Sequence, residues 1–350
     1  MPRERARFIH GTFADGPVAS TWLFTMQGDT LANAGVLAHD DQVDPFVLVG
    51  GRGTPFSVHG AIPRGCTTSG LRDLRAVSAS DRPVYYASDA GMLLALRYRT
   101  APARACKGML MQGQRTVTSM LLDELDPEHG TWSTRTTQAV PVPAGTCRTT
   151  YPLAVDLRRD RAAVALVTCT IVDAQDSVSI QSCQLTLHAW QGGVWTFASA
   201  PRVLDSVPLD VRVSSNPARM TVYGDESSQL FRSEDGMLRS EGEVPGGVLS
   251  LDGDRMVVGE IGGSRKSSSG IPWRLRAYLR VDGRWTAGAT SIDVAGVREL
   301  SVAWRDDGAV VVAPEDIADQ NPVRARVLRL RGDRWSEVGI VNAMVTRDDR

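Results

Sequence analysis

Four short segments of this 350-residue chain gather ionisable side chains between apolar runs, so any chemistry is sought there first. They are Asp173-Ala-Gln-Asp176, Asp225-Glu226-Ser-Ser, the Gly/Ser-rich stretch Gly262 to Gly270 with Arg265 and Lys266 at its centre, and Pro314-Glu315-Asp316-Ile-Ala-Asp319. Three of the four are acidic. Carboxylates held close together bind a cation or divide the work of general acid and general base. Their spacing here matches no Asp-x-Asp-x-Asp-Gly loop, so calcium is the one cation left open and no other metal or cofactor is expected. The plainer reading is that acidic residues solvate turns and tolerate turn dihedrals. For Arg265 and Lys266 it is that a flexible surface insertion carries them.

Other chemistry-bearing residues do not assemble into a set. The five histidines, His10, His39, His59, His129 and His188, show neither HxH nor HExxH spacing. Phe8-Ile9-His10-Gly11-Thr12 looks like an oxyanion strand, yet no Gly-x-Ser-x-Gly follows it. Gly50-Gly-Arg-Gly-Thr lacks the Lys-Ser/Thr ending of a phosphate loop. The five cysteines include no CxxC. Cys66, Cys106 and Cys147 recur at 40 and 41 residues beside Arg64, Arg104, Lys107 and Arg148, which favour a thiolate, but such even spacing separates them too far to pair. Cys169 and Cys183 flank Asp173 to Ser179 symmetrically and would face each other across a hairpin. The expectation is nevertheless five reduced thiols, with this pair the exception to watch.

The elements that must carry these segments read as strands. Ala162-Ala-Val-Ala-Leu-Val, Gln184-Leu-Thr-Leu-His, Met220-Thr-Val-Tyr, Arg255-Met-Val-Val, Val310-Val-Val and Ala325-Arg-Val-Leu-Arg-Leu alternate or cluster β-formers between turn residues. Val117 to Leu125 is the single helix candidate, and its Thr and Val suit a strand equally.

One hairpin phrase repeats. Gly130-Thr-Trp132-Ser, Gly193-Val-Trp195-Thr, Gly283-Arg-Trp285-Thr and Asp333-Arg-Trp335-Ser each place a turn, one residue, a Trp and a hydroxyl. Leu238 and, less well, Leu31 occupy the Trp place in two more. Positions 31, 132, 195, 238, 285 and 335 are separated by 101, 63, 43, 47 and 50 residues; if the first gap hides one unit, the period is about fifty residues. A second turn recurs at Arg158-Arg-Asp160, Ser215-Asn216-Pro217, Asp252-Gly-Asp254 and Arg305-Asp-Asp-Gly308.

The pattern resembles the broad β-propeller superfamily with BNR, tectonin or WD40-like repeats. The resemblance implies an all-β fold: a single propeller over residues 1–350 with about seven four-stranded blades, six or eight remaining open for the irregular first 145 residues. Its clearest blades run Tyr151 to Asp205, Val207 to Val244, Gly246 to Val294 and Val297 to Val345. It places the loops between second and third strands, with the linkers between blades, on one ligand-binding face. The sialidase-type Asp box, Ser-x-Asp-x-Gly-x-x-Trp, is hinted at by Ser233-Glu-Asp235-Gly236, with Gly one place early and no Trp.

With 39 basic and 40 acidic side chains, no global field draws the chain to nucleic acid or to an anionic membrane. The longest nearly apolar run, Ala162 to Val172, is too short for a helical span. Met1 to His10 shows no apolar h-region, so a cytoplasmic chain is the default and a trimmed secreted one the alternative. Fold does not give function. The expectation is a non-catalytic binding or scaffold module whose protein partner is met by Asp173, Asp176, Asp225, Glu226, Arg265, Lys266, Asp316 and Asp319. The alternative is a carbohydrate-active propeller, sialidase-like hydrolase or lyase, or a lectin.

Overall fold

The structure, a computed structural model, describes residues 12–13, 18–27, 30–40, 47–50, 55–59, 72–75, 84–89, 92–102, 115–126, 131–141, 148–174, 177–200, 204, 207–208, 210–224, 226–261, 271–297, 301–305, 308–314 and 323–343, with side chains only from residue 94 on. Among them every regular element is a strand, and no helix is long and apolar enough to cross a membrane.

The strands fall into consecutive groups. The first two groups have three each: β1 (Thr12–Phe13), β2 (Val18–Gln27) and β3 (Thr30–Asp40), then β4 (Val47–Gly50), β5 (Pro55–His59) and β6 (Arg72–Arg75). Five groups of four follow. They are β7 (Val84–Asp89), β8 (Met92–Pro102), β9 (Arg115–Asp126) and β10 (Thr131–Ala139); β11 (Arg148–Leu157), β12 (Arg161–Ala174), β13 (Ser177–Gln191) and β14 (Val194–Ser199); β15 (Val211–Ser215), β16 (Ala218–Tyr223), β17 (Ser227–Glu234) and β18 (Met237–Pro245); β19 (Gly247–Asp252), β20 (Arg255–Ile261), β21 (Ile271–Val281) and β22 (Arg284–Val297); and β23 (Ser301–Arg305), β24 (Gly308–Pro314), β25 (Val323–Arg331) and β26 (Arg334–Ala343). Each group of four is an antiparallel meander in chain order. The sole helix candidate lies in β9, where strands on both sides pair with it and its Thr and Val rotamers suit the pleat.

The repeated phrase has a single structural meaning. Trp132, Trp195, Leu238, Trp285 and Trp335 are each the second residue of the last strand in their group of four, and Leu31 is the second residue of β3. The turns before β14, β18 and β22 have left-handed backbone at both central residues, with φ of 59° and 87° at Gly192 and Gly193, 51° and 76° at Asp235 and Gly236, and 50° and 80° at Asp282 and Gly283. That is the tight hairpin turn whose twist matches the strands it joins.

Two compact units divide the chain: Val77–Gly253 with Asp282–Arg284, and Met1–Ala76 with Asp254–Val281 and Trp285–Arg350. In the first, β12 explains the long apolar run. Ala162, Val164 and Leu166 face one core with Leu94, Leu96, Tyr98, Met120 and Trp190, whereas Ala163, Ala165, Val167 and Cys169 face another with Leu187, Val211, Met220 and Leu238. A strand buried on both faces needs apolar residues at both parities. The first strands β7, β11, β15 and β19 lie side by side in chain order. Groups β11–β14 and β15–β18 also join at their outer strands, where Ser199 pairs with Met237, so that one eight-stranded sheet folds back until β11 lies beside β15.

In the second unit, Arg326 Nη1 donates to Asp293 O at 3.4 Å and links β25 to β22, Arg255 stacks over Trp304 at 4.9 Å, and β26 approaches β3.

Candidate functional site

The group β15–β18 has two chemically different ends. At one end the recurring second turns meet. Asp156 Oδ2 accepts from the N–H and the hydroxyl of Ser215 at 2.8 and 2.7 Å, tying β11 to β15. Arg158 donates from Nε to Asp156 Oδ1 at 3.0 Å and from Nη2 to Asp252 Oδ1 at 3.3 Å. Ser214 Oγ accepts from Gly253 N at 3.1 Å, and Arg219 donates from Nη1 to Gly253 O at 2.5 Å. Arg219 Nε reaches Glu241 Oε2 at 2.7 Å with both side chains buried. Gly253 has φ of 61°, and a Cβ there would lie 2.8 Å from Asn216 O, so no side chain fits between the two turns. Three turns spaced along the chain thus interlock into one polar network. Most of these contacts run between different strands and turns, so the network ties β11, β15, β16, β18 and the turn after β19 together.

The opposite end, where linkers enter and the second strand meets the third, is more open. Tyr223 N donates to Asp210 O at 3.0 Å, joining the linker before β15 to the end of β16. Arg212 is paired to Asp210 through Nη1 at 3.0 Å and donates from Nε to Leu249 O at 3.2 Å, with its side chain 45% exposed. Partial burial pushes the Asp210 carboxyl above the usual range, and the Arg212 guanidinium opposes that. Gly246 N donates to Glu226 O at 2.8 Å, and Ser228 Oγ donates to Gly246 O at 2.9 Å while accepting from Val248 N at 3.1 Å. Ser227 Oγ donates to Glu243 Oε1. The Glu226 side chain stands in solvent. A half-exposed guanidinium, a carboxyl of raised proton affinity and the exposed carboxylates of Glu226 and Glu243 thus stand at this end of the group.

Of the residues expected to bind, the structure describes two. Glu226 sits between β16 and β17. Asp173 pairs with Val178 near the tip of the β12–β13 hairpin, so both lie where a second strand meets a third, at the same end of their sheets. Asp176, Asp225, Arg265, Lys266, Asp316 and Asp319 lie outside the described residues, as do Cys66, Cys106 and Cys147. Among the described residues no group of three His, Cys, Asp or Glu could hold a metal ion.

No family model and no curated protein matches the chain. Its chemistry therefore rests on its own residues. Sequence reasoning missed Asp210 and Arg212; the only available signal was the alternation Asp210-Val-Arg212-Val, which puts both polar groups on one face of a strand start.

The expectation of five reduced thiols is corrected, because Cys169 and Cys183 form a disulfide. Trp190 is a core residue with Arg135 stacked on it at 5.2 Å, which accounts for one of the tryptophans outside the repeat. His188 is also buried; its Nε2 lies 3.4 Å from Thr186 Oγ1, and burial lowers its pKa to about 4. The imidazole lies tilted against Phe197, with ring centroids 6.1 Å apart.

Proposed function

We propose that the chain is a single β-propeller of about seven units, acting as a non-catalytic binding module that meets a protein partner on the face of its linkers and second-to-third-strand loops. Support for the propeller comes from the row of first strands β7, β11, β15 and β19 and from the Trp/Leu position kept in six of the consecutive strand groups. The observation that carries the function is the contrast between the two ends of β15–β18. At one end Asp156, Arg158, Ser214, Ser215, Arg219, Glu241 and Asp252 bond between strands and turns, and at the other Glu226 and Arg212, the latter paired to Asp210, reach solvent. Loops on a rigid scaffold are where proteins place recognition, and acidic loops of this kind favour a basic partner surface.

The test uses the full chain as bait in extract from its own cells, followed by titration of whatever partner is identified. Glu226→Lys with Asp173→Lys should weaken that complex tenfold or more and leave the melting temperature unchanged, while Asp160→Lys at the opposite end leaves affinity intact. Equal affinity in the wild type and both variants overturns the reading. Turnover or saturable binding on a glycan panel would favour the carbohydrate reading instead, whose one structural support is that Ser233 to Gly236 forms the outer hairpin turn of its sheet.

A further inference from the structure

Cys169 on β12 and Cys183 on β13 stand directly opposite each other and are joined by a disulfide, 14 residues apart in sequence. The backbone of Cys183 faces away from its partner. Its N–H donates to Leu204 O at 2.6 Å and its carbonyl accepts from Leu204 N at 2.7 Å. The cysteines are therefore a non-hydrogen-bonded pair, the arrangement that brings opposed side chains closest in an antiparallel ladder. Both are wholly excluded from water, packed in the core with Val167, Leu185 and Met220. Exchange requires a thiolate to reach a sulfur, and here none can do so until the hairpin opens.

We propose that this bond forms as the chain folds and persists for the life of the native state, so that the protein matures and works in an oxidising compartment. The chemistry balances as a dithiol exchange: the two thiols give up two electrons and two protons to a disulfide oxidant, which departs as two thiols. Cytosolic thiol pools hold such pairs reduced, whereas export compartments supply the oxidant. Of the two locations open to the sequence, the secreted one accommodates this core. Burial on both sides makes the bond a permanent staple rather than a switch, because a regulatory disulfide must be reachable by its reductant.

Trypsin leaves both cysteines in one peptide, residues 162–202, since Arg161 and Arg202 are the nearest cleavage sites. The native cells are quenched in acid, the chain is alkylated in denaturant without reductant, and that peptide is weighed. It should carry no alkyl group and be two hydrogens lighter than its reduced form. The purified full chain should then hold the bond against dithiothreitol, losing it only as fast as it unfolds, and Cys169→Ala/Cys183→Ala should melt several degrees lower. Two alkyl groups on the peptide from native cells would overturn the proposal, and so would reduction far faster than unfolding. The mass of the wild-type peptide decides the matter even if the double variant does not fold.

Discussion

Arg219 of β16 and Glu241 of β18 form an ion pair across the intervening strand β17, Nε to Oε2 at 2.7 Å, with 2% and 6% of their side chains exposed. Two charges withdrawn from water this far are tolerable only together, since each would otherwise meet a low-dielectric surrounding alone. Arg219 also donates to Gly253 O, so the pair anchors the turn end of one sheet to the next inner strand. Glu241→Leu should therefore cost about 3–5 kcal/mol in urea unfolding, because a guanidinium stays buried without its carboxylate. Arg219→Met combined with Glu241→Leu should cost clearly less than Glu241→Leu alone. Additive losses would show that the two side chains stabilise the sheet independently.

Asp156 makes the second junction. Asp156→Ala removes the acceptor for both the N–H and the hydroxyl of Ser215 and the partner of Arg158 Nε. Leaving a partly buried N–H without its acceptor costs about 1–3 kcal/mol. Ser215→Ala loses only the hydroxyl's bond and should cost about 1 kcal/mol. Chemical denaturation of the two variants checks the order, and hydrogen exchange at the Ser215 amide should quicken in Asp156→Ala alone.

His188 sets an acid limit. Its folded pKa of about 4 lies below the ordinary 6.5, so the unfolded chain takes up the proton first. The associated stability is complete above pH 6.5 and is lost as pH falls toward 4, to a total of about 3 kcal/mol at 1.36 kcal/mol per unit. Unfolding curves across that range should fall more steeply with acid for the wild type than for His188→Gln. Parallel pH profiles for the two would assign the acid sensitivity to other groups.

Gly308 and Gly193 separate clash from backbone preference. At Gly308, with φ of 150°, a Cβ would collide with Leu330 O, an atom fixed in the β24–β25 ladder. Gly193, with φ of 87°, has nothing within 4 Å of its Cβ position. Gly193→Ala should cost about 1 kcal/mol for the left-handed backbone alone. Gly308→Ala should cost several times that or prevent folding, read as melting temperature and soluble yield.

Much of the architecture was legible along the chain because strand periodicity is local. Alternation and turn chemistry named strands of the last 200 residues: Ala162 to Val167, Gln184 to His188, Met220 to Tyr223, Arg255 to Val258, Val310 to Val312 and Ala325 to Leu330 all lie in strands. The tryptophan phrase worked for the same reason: a tight turn followed by a fixed offset sets the register of a hairpin whatever lies around it. The two N-terminal groups were not assigned in advance, since β1, β4, β5 and β6 have only 2, 4, 5 and 4 residues and β5–β6 pairs in parallel, without a hairpin turn between them to read.

Residue type and spacing alone thus determined an all-β chain, its hairpins and the candidacy of Cys169 and Cys183 as opposed residues. Tertiary structure decided which distant groups became partners: Asp156 with Ser215 across 59 residues, Arg158 with Asp252 across 94, and Arg212 with the Leu249 carbonyl. It also decided that the cysteines bond in a closed core and that His188 is packed rather than solvated. The physical reason is that register and turn type are properties of neighbouring residues. Charge pairing and desolvation depend on what another sheet brings alongside, and no local pattern in the chain encodes that.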